Sequence, residues 1–306
     1  MSLSEIQRIL GERASEHAPF GARTTYRVGG TARLVIEVGD LDQLVRLSPL
    51  LAEVDCPVVT LGKGSNTLVA DGEFDGIVLI LADGFTSLAW RDEGEDVIVT
   101  AGAALGLPIA ARRLADAGVT GFEWAVGIPG SFGGAAVMNA GGHGSDMAAS
   151  VRSVDVLTIG RTSVDEWTRE RLDFDYRHSA LGPSDIVVSV TLELQRGDAE
   201  ASRERVREIV RWRREHQPGG SNAGSVFRNP QGTSAGALID AAGLKGRREG
   251  SATVSEKHAN FIQVDDGGSA DDVNRLMKEV RREVAARSGI SLESEIRRVG
   301  FSEADA

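Results

Sequence analysis

Gly127-Ile-Pro-Gly-Ser-Phe-Gly-Gly-Ala-Ala-Val-Met-Asn-Ala-Gly-Gly142 is the stretch on which the reading of this chain turns. Four of its first eight residues are glycine, and two more glycines close it. A backbone without Cβ atoms takes positive φ angles and comes close to a ligand. Successive N–H groups in such a loop form an anion nest. No Gly-Lys-Ser/Thr follows, so this is not a P-loop, and the spacing is not that of a G-x-G-x-x-G fingerprint. A glycine-rich turn that merely packs tightly is the plainer alternative. Pro129 between glycines, and Asn139 after an apolar run, favour a shaped cradle. The cradle residues are then Gly127, Ile128, Pro129, Gly130, Ser131, Gly133, Gly134, Asn139, Ala140 and Gly141.

A second turn of the same chemistry lies upstream. Pro57-Val-Val-Thr-Leu61 reads as a strand and runs into Gly62-Lys63-Gly64-Ser65-Asn66. Backbone and side-chain donors at such a strand end suit a pyrophosphate. Thr67 stands where a Rossmann fingerprint needs its third glycine. Taken alone, this turn is as readily structural as functional. Paired with the first loop, it points to a long dinucleotide such as FAD.

Around these turns strands and helices alternate irregularly, which predicts an α+β protein rather than a doubly wound sheet. Leu34–Val38 reads as a strand, and Asp40 caps a helix carrying Leu44, Leu47 and Leu51. Helices are predicted over 107–118, 204–215, 235–242 and 270–288, and strands over 154–159, 186–194, 260–264 and 296–299. Charge density shifts near residues 85 and 200, giving expected domains of 1–85, 86–200 and 201–306.

Bulk properties set limits. A chain of 306 residues has ample material for two or three domains. Its formal net charge of −11 argues against a nucleic-acid partner, which needs a basic face. An acidic surface is compatible with a monomer. No apolar run is long enough to span a bilayer, so no membrane association is expected. Cys56 stands alone, which excludes an intrachain disulfide and fits a cytoplasmic location. The five histidines lack metal-ligand spacing, so no metal is expected.

Three further places carry chemistry. Gly224-Ser-Val-Phe-Arg-Asn-Pro230 holds Ser225, which is an ordinary loop hydroxyl unless a base or charge orients it. Arg177 is either a surface ion pair with Asp173 or Asp175, or a bidentate carboxylate clamp. Glu293 and Glu295 share one face of an extended segment; spacing alone favours a solvated acidic turn.

The whole set resembles the UDP-N-acetylenolpyruvoylglucosamine reductases. The matching pieces occur in that family's order: Thr25-Tyr-Arg-Val-Gly-Gly30, Leu61-Gly-Lys-Gly-Ser-Asn66, Gly127-Ile-Pro-Gly130, Met138-Asn-Ala-Gly141, Tyr176-Arg177, Gly224-Ser-Val-Phe227, Ser255-Glu-Lys-His-Ala-Asn-Phe261 and Glu293-Ser-Glu-Ile-Arg297. The resemblance implies an FAD-binding fold of the vanillyl-alcohol oxidase type in two subdomains, followed by a C-terminal α+β substrate-binding domain. It implies non-covalent FAD, NADPH as co-substrate and a sugar-nucleotide substrate. Flavin N5 would deliver hydride to the enol-ether methylene carbon. Ser225 would protonate the adjacent carbon, while Arg177 and Glu295 stabilise the enolate, Glu295 with a pKa raised by burial. Asn229 and Lys245 would hold the nucleotide, with Arg228 adding to the field on its diphosphate. His216-Gln-Pro218 departs from the usual lysine there. The chain also resembles the short form, lacking the tyrosine-bearing inserted loop. A related sugar or alcohol oxidase, and a catalytically silent flavin-binding paralogue, are the alternatives.

Overall fold

The computed structural model describes residues 3–302. The chain forms two compact units, neither continuous in sequence. Met1–Glu16, Leu34–Lys63 and Gly76–Arg213 make the first unit; His17–Arg33, Gly64–Asp75 and Arg214–Ala306 make the second. The mixture of helices and mainly antiparallel sheets is the expected α+β class.

The first unit is built on a largely antiparallel sheet. Asp185–Arg196 is its long central strand, flanked by Val151–Thr158 and Asp96–Gly102, with Asp165–Thr168 and Leu88–Glu93 at the edges. Val97, Val99, Ala101, Val154, Val156, Val190 and Leu192 are buried in one core beneath the helix Leu107–Asp116. A second core of the same unit packs the helix Leu41–Ala52 through Leu44, Leu47 and Leu51. Asp40 caps that helix as expected, its carboxylate accepting from Gln43 N–H at 2.8 Å. Val58–Thr60 pairs in parallel with Phe74–Leu81, Val59 opposite Val78.

The second unit packs the helix Ala270–Ser288 through Val273, Leu276, Met277, Val280 and Val284. The buried Ala252, Val254, Ile262 and Val264 of the small sheet lie in the same core. Asp71 fixes the start of this helix: its carboxylate accepts from Ser269 Oγ (2.5 Å), Ala270 N–H (2.9 Å) and Asp271 N–H (3.1 Å). The two N–H groups are donors that a helix start leaves without intrahelical partners. Asp71→Ala is expected to cost about 1–2 kcal/mol, read as a lower urea midpoint; an unchanged midpoint would mean that water replaces the carboxylate without loss.

Four elements differ from their sequence reading. The helix predicted over 204–215 covers Ala199–His216. Asp198 accepts from Glu200 N–H at 2.8 Å, and Glu200 pairs with Arg203 and Arg207, so charged side chains start a turn that apolar periodicity does not mark. Inside the glycine-rich stretch, Phe132–Met138 is helical. Burial of Phe132, Ala135 and Ala136 outweighs the poor helix propensity of two glycines. The edge strands Leu88–Glu93 and Asp165–Thr168 are largely exposed and charged, so their alternation was too weak to read.

Candidate active site

In the first unit the two glycine turns meet. Val58–Thr60 runs into Leu61, whose N–H donates to Leu79 O at 2.9 Å, and then into Gly62. A Cβ placed on Gly62 would lie 2.4 Å from Ser131 Oγ, so the bare backbone of this turn closes directly on the serine hydroxyl. The same hydroxyl lies 3.6 Å from the Cβ position of Gly134. The Ser131 hydroxyl thus lies against the backbone of both glycine turns. Thr60 Oγ1, immediately upstream, is buried with no hydrogen-bond partner among the described residues. A buried hydroxyl without a partner costs free energy unless a ligand satisfies it. This donor set fits the diphosphate of a dinucleotide.

Not every cradle residue faces outward. Gly133 N–H donates to Ala103 O at 2.9 Å, and its Cβ position is 3.1 Å from Ala103 Cβ. That glycine is needed for close packing. Asn139 ends the helix in the left-handed region at φ 41. Its side chain accepts from Ala148 N–H (2.9 Å) and donates to Asp175 O (3.0 Å). Arg177, also left-handed at φ 55, closes the arrangement. Its guanidinium donates to Gly141 O at 3.1 Å and Asn139 O at 3.5 Å. The exit of the glycine stretch is thus bound to the Asp175–Arg177 turn.

The second unit collects Gly64, Ser65, Asn66, Ser225, Arg228, Asn229, Lys245 and Glu295. Residues 226–228 run antiparallel to 293–295. Phe227 stands opposite Ser294, Glu295 N–H donates to Val226 O at 2.8 Å, and Arg228 N–H donates to Glu293 O at 2.9 Å. Ser225 stands where this pairing ends, after Gly224 at φ +74. Both Ser225 and Glu295 are half-buried, whereas Glu293 is exposed. Asn66 holds the neighbouring backbone: Nδ2 donates to Glu295 O at 2.9 Å, and Asn66 O accepts from Arg297 N–H at 3.0 Å. That side-chain bond within the protein was not visible in the sequence. Beyond it, Arg297–Val299 pairs in parallel with Thr67–Val69. Lys245 pairs with Asp240 at 2.7 Å, and Asn229 Oδ1 accepts from Ala235 N–H at 3.0 Å.

Two histidines are held below their ordinary pKa of 6.5. Burial is the main cause for His143, with the charges of Arg213 and Arg205 adding to it. Burial also dominates for His258, where Lys245 adds to the effect and a hydrogen bond to its own backbone opposes it. On acidification the unfolded chain protonates both rings first. Their contribution to stability is therefore complete above the unfolded value and is lost as pH falls through it towards the lowered folded values. The urea midpoint is expected to fall between about pH 7.5 and pH 5.5, and less steeply in His143→Gln/His258→Gln. Equal slopes in the two proteins would remove both rings from this account.

Residues 32–164 match the family described as "FAD binding domain", so fold and site define an FAD-binding oxidoreductase. Residues 216–299 match "UDP-N-acetylenolpyruvoylglucosamine reductase, C-terminal domain". The chain is 42% identical to the UDP-N-acetylenolpyruvoylglucosamine reductase of Synechococcus sp. (strain WH7803), over 95% of this chain and 94% of that one. It is also 42% identical to that of Heliobacterium modesticaldum, over 98% and 95%. The crystal structure of UDP-N-acetylenolpyruvylglucosamine reductase (MurB) from Thermus caldophilus superposes with a TM-score of 0.79 at 36% identity, covering 92% of this chain and 97% of that one. The chain belongs to the UDP-N-acetylenolpyruvoylglucosamine reductase family. No helix among the described residues is long and apolar enough to cross a membrane.

Proposed function

We propose that this protein reduces UDP-N-acetylenolpyruvoylglucosamine to UDP-N-acetylmuramate, a peptidoglycan precursor, with NADPH as reductant. FAD, when bound, would supply the two-electron relay, taking hydride from NADPH and passing it to the enol-ether methylene carbon of the substrate. The chain's own residues do the remaining work. Gly62, Lys63, Gly64, Ser65 and the 127–141 stretch hold the dinucleotide through backbone and hydroxyl donors. Ser225 gives its proton to the adjacent carbon, completing addition of H⁻ and H⁺ across the double bond. A serine hydroxyl is a weak acid, but a carbon-centred enolate is base enough to take its proton. Arg177 offers a fixed fork of donors to the substrate carboxylate. Glu295 stabilises the same developing charge as a hydrogen-bond donor in its protonated form. Lys245, Arg228 and Asn229 bind the nucleotide, for which Lys245 exchanges its partner Asp240 for diphosphate.

The observation that carries this reading is the pairing of Val226 O with Glu295 N–H, which fixes two proposed catalytic positions on adjacent backbone. A lone cysteine and a sugar-nucleotide substrate support a cytoplasmic location, and the acidic surface supports a monomer. The test is anaerobic. Yellow holoprotein should be bleached by NADPH, then recover its colour on addition of the enolpyruvyl sugar nucleotide. Bleaching by a free sugar or alcohol, with recovery only in oxygen, would assign an oxidase instead; no cycling at all would assign a silent paralogue.

A further inference from the structure

The Ser255–Phe261 stretch has no part in the chemistry above, yet its Asn260 makes three hydrogen bonds to the two residues that follow Ser225. Asn260 is 3% exposed. Its backbone carbonyl accepts from Val226 N–H at 2.9 Å. Its side-chain Oδ1 accepts from Phe227 N–H at 3.0 Å, and its Nδ2 donates to Phe227 O at 2.8 Å. A primary amide carries the same donor and acceptor as a peptide group. Asn260 therefore offers Phe227 the pair of bonds that a neighbouring strand would offer. On the opposite edge, Glu295 N–H takes Val226 O. All four backbone groups of Val226 and Phe227 are then satisfied, by two different segments, in a buried place where an unmade bond costs most. Asn260 is itself anchored, since its N–H donates to His258 Nδ1 at 3.3 Å.

We propose that Asn260 is a positioning residue for the proton-transfer step: through Val226 and Phe227 it fixes the backbone that presents the Ser225 hydroxyl. This rests on Ser225 being the acid. A hydroxyl displaced by about 1 Å from its line of transfer loses about 10²-fold in rate. A buried asparagine that only stabilised the second unit would lower stability and leave the chemistry of the surviving folded protein untouched.

The experiment is stopped-flow on the FAD-loaded protein, with flavin reduction by NADPH and recovery by the enolpyruvyl sugar nucleotide measured separately. Asn260→Ala is expected to leave reduction unchanged and to slow recovery about 10²-fold, with the substrate concentration for half-maximal rate unchanged. Asn260→Asp keeps the acceptor for Phe227 N–H, and its protonated carboxyl can also donate to Phe227 O, so it should restore part of the loss as the pH is lowered. In a Ser225→Ala background, Asn260→Ala should cost nothing more, because both changes remove one function. Recovery at the wild-type rate in Asn260→Ala, or an equal penalty with and without Ser225, overturns the proposal. If neither variant retains FAD, amide exchange in the wild-type holoprotein decides. Slow exchange at Val226 and Phe227 supports the clamp, and exchange at exposed-loop rates overturns it. A fast Ser225→Ala would instead overturn the assignment of the acid. A slow Ser225→Ala beside a fast Asn260→Ala overturns only the positioning.

Discussion

Ser225→Ala is expected to leave bleaching by NADPH intact and to slow recovery of the yellow colour by about 10²–10⁴-fold. That range corresponds to about 2.7–5.4 kcal/mol of transition-state stabilisation. It exceeds the usual net worth of one hydrogen bond between neutral groups, about 0.5–1.5 kcal/mol, so the size of the effect separates proton donation from simple binding. The change is small in volume, at a half-buried position that ends the backbone pairing. Val226 and Phe227 keep all their bonds to Asn260 and Glu295, because those bonds use backbone atoms of residues 226 and 227. FAD retention and thermal stability should therefore match the wild type. Recovery within a few-fold of wild type would mean that another group, or water, supplies the proton.

Gly64→Ala is expected to be the most damaging single-methyl change in the Gly62–Asn66 turn. Gly64 sits at φ +62, and an added Cβ would lie 2.6 Å from Thr24 Cα and 2.9 Å from Arg23 O. Both obstacles are backbone, so no side-chain rotation relieves them. Gly64 O also accepts from Thr25 N–H at 3.1 Å, which ties the two segments together. Left-handed strain and overpacking each cost about 1–3 kcal/mol, so the sum, about 2–6 kcal/mol, is a large share of a typical domain's stability. The expected result is a lower unfolding midpoint and protein purified with little FAD. A contrast is built into the same turn. At Gly62 the obstacle is the end of the Ser131 side chain, which can turn aside, so Gly62→Ala should cost less stability. If the two variants were equally stable, backbone crowding at Gly64 would not be what requires glycine there.

What the sequence made legible, and what it hid, divides by the range of the interactions. Local chemistry was readable: the Asp40 cap, the helix Ala270–Ser288, and glycine turns at strand ends. Ordered motifs made the family readable. Contacts between distant segments were not. Asn66 reads as a ligand donor because it follows two glycines, and nothing near it in the sequence signals that its amide also reaches Glu295 O, 229 positions along the chain. Gly133 reads as part of the cradle, and its packing against Ala103 gives no local signal. Asn260 stands in the sequence only as one letter of a family motif, since nothing in its neighbours announces a side chain that imitates a strand. The Phe132–Met138 helix was hidden for a related reason: its stability comes from burial, which two glycines in a row conceal.

The interleaved course of the chain limits how this protein can be cut. The second unit buries Tyr26, Val28 and Leu68 from early segments in the same core as Ile239, Leu276 and Leu292 from the last third. Its Arg297–Val299 strand has Thr67–Val69 as partner. A fragment beginning at residue 216 would keep the whole region matching the C-terminal family and still leave those cavities empty and that strand edge bare. Neither unit is a cassette that recombination or cloning can lift out by one break in the gene. Exchange between relatives should succeed only when the two early segments travel with the final one.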